Sequence, residues 1–409
     1  MSLEWMSPLL LLPSLFAQAK VPAPKVDPNA YDPAGPPVLA KSAILVDATS
    51  GKVLWEQDAD TPRYPASTTK ILTTLILLER VRPETIITAP KDIEKVGESS
   101  MHLKPGERVP AKDMAYALML RSANDGCVAV ARHISGTVEA FADVMNARAA
   151  EMGCTRTEFT NPNGLNDVRH VTTARDLAIM GRIAMQDPTF RQIARTRKYK
   201  IRRSINQKDQ WMVSRNKWLA KDPSADGIKT GYTRPAGNCY VGSATREGFR
   251  VITVLMDSPA WQTEHGSMLR WAYRTYDRFL IARAGETIGT VSAPGIPNPI
   301  PVITGVNTYE VRRPTEAAGS WGFVPRDDLS LPILAKQRVG TATFTSADGH
   351  TTEYPVFAAD GQTAPPPIIA GTSGRPDGGT LAIGAALLGG IAFLRHRTRR
   401  QYDHASPRR

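Results

Sequence analysis

Ser67 and Lys70, in Pro65-Ala66-Ser67-Thr68-Thr69-Lys70, are the pair in this 409-residue chain best suited to covalent chemistry. The apolar run behind them, Ile71 to Leu78, predicts a helix with leucine and isoleucine on all sides, enclosed by protein. Pro65 suits the first helical position, where its missing N–H costs nothing. Side chains three residues apart leave the same helix face. A hydroxyl near a helix N-terminus, beside an amine that burial could keep neutral, is a recipe for an activated nucleophile.

Two further triplets follow in order, Ser122-Ala123-Asn124 and Lys229-Thr230-Gly231. Each is a weak signal alone: a chain of this size holds about one or two chance S-x-x-K matches and about one S-x-N. Their joint order and context carry more. Lys229 supplies a second ammonium that, with desolvation, lowers the pKa of Lys70 toward that of a general base. Ser122 is placed to relay a proton between the lysines and a leaving amine, and Asn124 to hydrogen-bond a substrate amide or orient Lys70. Asp176 reads as a helix-start residue and His170 as part of a solvated loop, so both stay outside the catalytic set with Asp167. Cys127, Cys154 and Cys239 are too widely spaced for zinc or a redox motif, and Cys127 reads as a buried free thiol. No metal or cofactor is expected.

The elements that must position these residues predict an α+β fold. A hairpin, Ser42–Asp47 with Val53–Trp55, feeds the Ser67 helix. Helical patterns run from Pro110 to Leu120, from Cys127 to Ile134 and from Val138 to Met152, with another starting at Thr173. Residues 121–126 interrupt the first two. Strands follow at Asn238–Ala244 and Phe249–Met256, with Lys229 at a strand start, and an amphipathic helix from Met268 to Ala282 closes the unit. Strands at both ends of a helical middle imply one antiparallel sheet. From residue 284 short β-type runs separated by Pro and Gly, with an Asp348-Gly349 turn, predict a small all-β domain.

The three motifs resemble those of penicillin-recognising serine acyl-transferases. The text around them, including Gly97 to Met101, Asn161 to Leu165, Thr173 to Ala178 and Asp226 to Thr233, looks like the low-molecular-weight D-alanyl-D-alanine carboxypeptidases. The resemblance covers residues 40–282, and more loosely the β domain and a C-terminal membrane anchor. It implies a transpeptidase-like fold, an acyl-enzyme on Ser67, and an oxyanion hole from the backbone N–H groups of Ser67 and Tyr232. It also implies that Lys229, Thr230, Gly231 and Arg215 hold the substrate, Thr230 and Arg215 at its terminal carboxylate. The implied partners are peptidoglycan stem peptides ending in D-Ala-D-Ala, and β-lactams as covalent inhibitors. A class A β-lactamase shares the motifs but adds a Glu-x-x-x-Asn loop, and 161–170 contains no glutamate. A catalytically inactive wall-binding protein is the other alternative.

The expected organisation is a signal peptide (1–19), a linker (20–40), the carboxypeptidase domain (41–282) and the β domain (283–360). A Pro/Gly-rich stalk (361–377), a transmembrane anchor (378–394) and a basic cytoplasmic tail (395–409) complete it. The signal departs from the usual pattern in having only Glu4, and no Lys or Arg, before its apolar core. The arginines after residue 394 place the tail inside and the body outside the cytoplasmic membrane. A spanning anchor varies on the resembled family, which usually anchors with a helix lying on the membrane. The formal net charge is +12, but no nucleic-acid motif accompanies the basic clusters. The cluster at 195–203 reads as a solvated strand or hairpin face, the alternative being that it sits near anionic cell-surface polymer.

Overall fold

The computed structural model describes Asp32 and residues 34–363. The expected signal peptide, stalk, anchor and tail, and most of the linker, lie outside the described residues. Among the described residues no helix is long and apolar enough to cross a membrane.

Strands β1 (Ser42–Asp47) and β2 (Val53–Gln57) form the expected hairpin, and α1 (Lys70–Arg80) follows. The helical middle comprises β3 (Ile86–Thr88), β4 (Arg108–Pro110), α2 (Ala111–Tyr116), α3 (Asn124–Ser135), α4 (Val138–Glu151), α5 (Ala174–Ala184) and α6 (Pro188–Arg195). A second hairpin, β5 (Lys198–Lys200) with β6 (Trp211–Val213), leads to β7 (Ala225–Thr233), β8 (Gly237–Arg246), β9 (Phe249–Ser258) and α7 (Trp261–Thr275). The main sheet is antiparallel with order β2-β1-β9-β8-β7, so the two ends of this unit do meet in one sheet.

Strand alternation explains the layering, because successive side chains point to opposite faces. Ile44 and Val46 of β1 join the large core built with α1 to α6, whereas Ala43 and Leu45 pack with Met268, Leu269 and Trp271 of α7. Helix α1 is buried from Lys70 through Leu77, as its all-round apolar sequence requires.

Beyond α7 come β10 (Asp277–Ala282), β11 (Thr287–Val291), β12 (Ile300–Thr304), β13 (Thr308–Arg312), β14 (Ser320–Pro325), β15 (Arg338–Thr345) and β16 (Thr351–Ala358). Five of them form a sheet of order β11-β12-β16-β15-β14 around Val302, Val339 and Val356, and β10 pairs with β13.

The structure departs from expectation in several places. The closing helix ends at Thr275, and 277–282 is a strand. Pairing with β13, and the guanidiniums of Arg312 over Phe279 and Arg278 over Tyr309, outweigh the helical spacing there. The cluster at 195–203 is only partly a solvated hairpin face. Arg203 is buried and grips Glu107 at 2.7 and 2.8 Å, and Arg202 reaches Asp113. Burial pushes the Glu107 carboxyl up, but the hydrogen bonds from Arg203 and from the backbone N–H groups of Lys104 and Asn206, with the Arg203 charge, together outweigh it and hold it at about 2.

Candidate active site

Ser67 sits not on the α-helix but on a 3-10 turn, Ala66–Thr69, immediately before it. Ala66 has φ of 49°, a left-handed conformation that is strained for alanine. Thr68 Oγ1 donates to Pro65 O and Thr69 Oγ1 to Ala66 O, which pins the turn from within. Strand β7 presses against it from outside. A Cβ on Gly231 would lie 3.0 Å from Ser67 N and 3.1 Å from Thr68 N, so glycine there permits the approach.

Lys70 opens α1 and is fully buried. Its Nζ lies 2.9 Å from Ser67 Oγ, 2.8 Å from Asn124 Oδ1 and 2.5 Å from the Asn163 carbonyl. The two oxygens of Asn124 and Asn163 can only accept. In the neutral amine they take both hydrogens, so the lone pair faces the Ser67 hydroxyl. Burial lowers the Lys70 pKa to about 8, with the Arg215 charge adding to the effect. Asn124 itself is held in orientation by donating Nδ2–H to Gly97 O.

The second motif breaks the helical run more tightly than expected. After α2 the chain makes a π-helical turn, Ala117–Arg121, then places Ser122 at φ 64°, ψ 40°, and α3 begins at Asn124. Such turns concentrate at functional sites. Lys229 stands in the middle of the edge strand β7, not at its start, and its Nζ donates to Ser122 Oγ (3.1 Å) and Thr230 O (2.9 Å). Burial, then the charges of Lys70 and Arg215, drives the Lys229 pKa well below the usual lysine range. Desolvation is therefore the leading cause at both amines, and the repulsion between them falls on Lys229.

The structure thus gathers a half-buried Ser67 and the buried Lys70, Asn124, Ser122, Lys229 and Gly231 in one constellation. Thr230 is half-buried beside it and Tyr232 is 64% exposed. Arg215 is an exposed rim residue whose guanidinium donates to Ser99 Oγ at 2.6 Å.

Two contributors escaped sequence reasoning. The Asn163 carbonyl is one. Its trace in the sequence is Gly164, whose φ of 82° and close approach to Ala66 O exclude a side chain. The other is His170, which lies not in solvent but buried behind the Ser67 turn. Its Nδ1 accepts from Thr160 N, so Nε2 carries the proton and donates to Thr69 Oγ1 at 3.0 Å. Burial lowers its pKa to about 4. Asp176 does lie in the first turn of α5, where Thr173 caps its N–H, but its carboxylate also accepts from Arg156 N and Thr157 Oγ1. Cys127, Cys154 and Cys239 are all buried free thiols. Among the described residues no three His, Cys, Asp or Glu side chains group as metal ligands.

A profile of the D-alanyl-D-alanine carboxypeptidase family of peptidases matches residues 29–260. D-alanyl-D-alanine carboxypeptidase DacF of Bacillus subtilis is 28% identical over 340 residues, 78% of this chain and 85% of that one. DacC of Escherichia coli is 32% identical over 287 residues, 66% of this chain and 67% of that one. The crystal structure of penicillin binding protein 5 from Haemophilus influenzae shares the fold with a TM-score of 0.66, at 24% identity over 80% of this chain and 99% of that one. The chain belongs to the D-alanyl-D-alanine carboxypeptidase family of serine peptidases.

Proposed function

We propose that this chain removes the terminal D-alanine from peptidoglycan stem peptides through an acyl-enzyme on Ser67. The observation that carries the reading is the 2.9 Å contact between Ser67 Oγ and a fully buried Lys70 amine whose two hydrogens have fixed acceptors. Ser67 Oγ attacks the carbonyl between the two D-alanines, and its proton passes to Lys70 Nζ. The backbone N–H groups of Ser67 and Tyr232 receive the oxyanion, a role usually worth about 3 kcal/mol per donor. Collapse breaks the C–N bond; Ser122, hydrogen-bonded to Lys229, gives its hydroxyl proton to the leaving amine and takes in exchange the proton held on Lys70, which returns that amine to its neutral form. Water then attacks the ester, with Lys70 again accepting a proton, and Ser67 is regenerated. Thr230 and Arg215 hold the substrate's terminal carboxylate, Arg215 as a bidentate fork, while Asn124 keeps Lys70 in place.

β-Lactams acylate the same serine and act as covalent inhibitors. The loop that would carry a β-lactamase's deacylating glutamate instead supplies the Asn163 carbonyl and His170, which favours slow release of bound penicillin. In this reading residues 41–282 form the catalytic domain and 283–360 a domain for positioning or protein contact. The chain works outside the cytoplasm, exported by residues 1–19 and anchored through 378–394. Incubating the full chain with a pentapeptide ending in D-Ala-D-Ala and measuring released D-alanine tests the activity. Ser67→Ala should abolish both release and labelling by a fluorescent penicillin. Labelling retained in that variant refutes the nucleophile.

A further inference from the structure

Outside the catalytic machinery, five cationic side chains share one concavity. An open trough of about 940 Å³ is lined by Arg195 at the end of α6, Arg197 and Lys198 at β5, and Lys217 and Lys221 around a short 3-10 turn. No acidic side chain lines it. The neighbouring Arg202, Arg203 and Arg246 all have carboxylate partners. Among the described residues these five cations have none. Lys198 rests over the Trp211 ring at 4.3 Å, and Lys221 donates to the neutral amide oxygen of Gln262.

A buried amide forms part of the trough's wall. Asn216 lines it and is 6% exposed. Its Oδ1 accepts from Trp218 N and Tyr240 Oη, which fixes the amide orientation, and its Nδ2 is buried with no partner. Unpaired like charges repel, and an anionic group in the trough relieves that repulsion. Ser214 and Asn216, both lining residues, flank Arg215, whose charge is felt at Lys70 and Lys229. Arg215 is the residue proposed to hold the substrate's terminal carboxylate, so the trough's wall is continuous in sequence with that residue.

We infer that this trough is a docking subsite for the carboxylates of a second peptide strand of the wall polymer, lying beside the strand being cut. The inference rests on the proposed function for the identity of that polymer. A concave trough admits a flexible strand rather than the flat face of a bilayer. Arginine forks match carboxylates, and a cluster of unpaired cations raises the local concentration of an anionic chain in a salt-sensitive way.

The test uses the full chain, wild type and Lys217→Glu/Lys221→Glu, both exposed positions outside the catalytic constellation. The probes are a soluble cross-linked wall-peptide fragment, the same fragment with its carboxylates amidated, and a glycerol-phosphate polymer. In about 50 mM salt the wild type should bind the free-carboxylate fragment about tenfold or more tightly than the amidated one. The double variant should lose that preference and still take penicillin within about twofold of the wild-type rate. Equal binding of the two fragments by the wild type, or an undiminished preference in the variant, overturns the subsite. Tighter binding of the glycerol-phosphate polymer also overturns it and assigns the trough to phosphodiesters. Failure of the wild type to take penicillin would instead refute the proposed function, while the fragment preference still decides the subsite.

Discussion

Gly164→Ala should disable the site from behind. A Cβ on Gly164 would stand 1.8 Å from the Ala66 carbonyl oxygen and 2.4 Å from its carbon, where real Cβ atoms keep at least 3.0 Å. The two loops must therefore part by about 1 Å or more, and each carries a contact to the catalytic amine or its hydroxyl. One holds the Asn163 carbonyl against Lys70, and the other carries Ser67. Misplacement by about 1 Å costs on the order of a hundredfold in rate. The alanine also pays for its φ of 82°, about 1 kcal/mol of stability. Gly153→Ala isolates that second effect, because Gly153 has φ of 86° and no heavy atom within 4 Å of an added Cβ. The assay is the second-order rate of acylation by a fluorescent penicillin, measured with thermal unfolding on wild type and both variants. Gly153→Ala should lose a few degrees and acylate normally; Gly164→Ala should acylate about a hundredfold more slowly. Acylation by a folded Gly164→Ala protein within threefold of wild type refutes the role given to this contact.

The acylation rate should rise about tenfold per pH unit below pH 8 and level off above it, because only the deprotonated Lys70, with its pKa at about 8, accepts the serine proton. A flat profile from pH 5 to 9 would rule Lys70 out as the base. Stability should fall on acidification, since His170 at about 4 and His265 at about 3 are buried neutral while unfolded histidine titrates near 6.5. Their contribution is complete above about pH 6.5 and is lost as the unfolded chain takes up protons below it. For His170 it amounts to about 3 kcal/mol by pH 4, and His170→Gln should flatten the loss in urea titrations at pH 7 and 4.5. Arg203→Met leaves the buried Glu107 carboxylate uncompensated and should cost about 3–5 kcal/mol in the same titrations, with a smaller cost when Glu107→Gln is added.

The parts of the site that are side chains of distinctive type could be read from their letters. Ser67, Lys70, Ser122, Asn124 and Lys229 do converge, because the motifs lie where helix starts, helix breaks and strands bring chain segments together. The 3-10 geometry at Ala66–Thr69 could not be read, since it is imposed by β7 and Gly164 crowding the turn from outside. A backbone carbonyl such as that of Asn163 has no residue type to betray it. His170 misled because its neighbours Asp167 and Arg169 are solvent-facing in kind, whereas its own burial depends on Thr69 and Thr160 reaching it from elsewhere. The end of α7 misled for a similar reason: β13, some thirty residues on, recruits 277–282 into a strand.

Strand β1 has its inner partner in β9, Ser42 opposite Met256, so the first strand waits for one made roughly two hundred residues later. Until that segment arrives, a row of unpaired amides and the apolar faces of Ile44 and Val46 stand open to any passing chain. Closing so long a loop also makes assembly slow compared with local helix formation. A nascent copy of this protein must therefore be kept from sticking to its neighbours until almost the entire catalytic unit has been delivered, and truncation anywhere before β9 should yield aggregates rather than a smaller working enzyme.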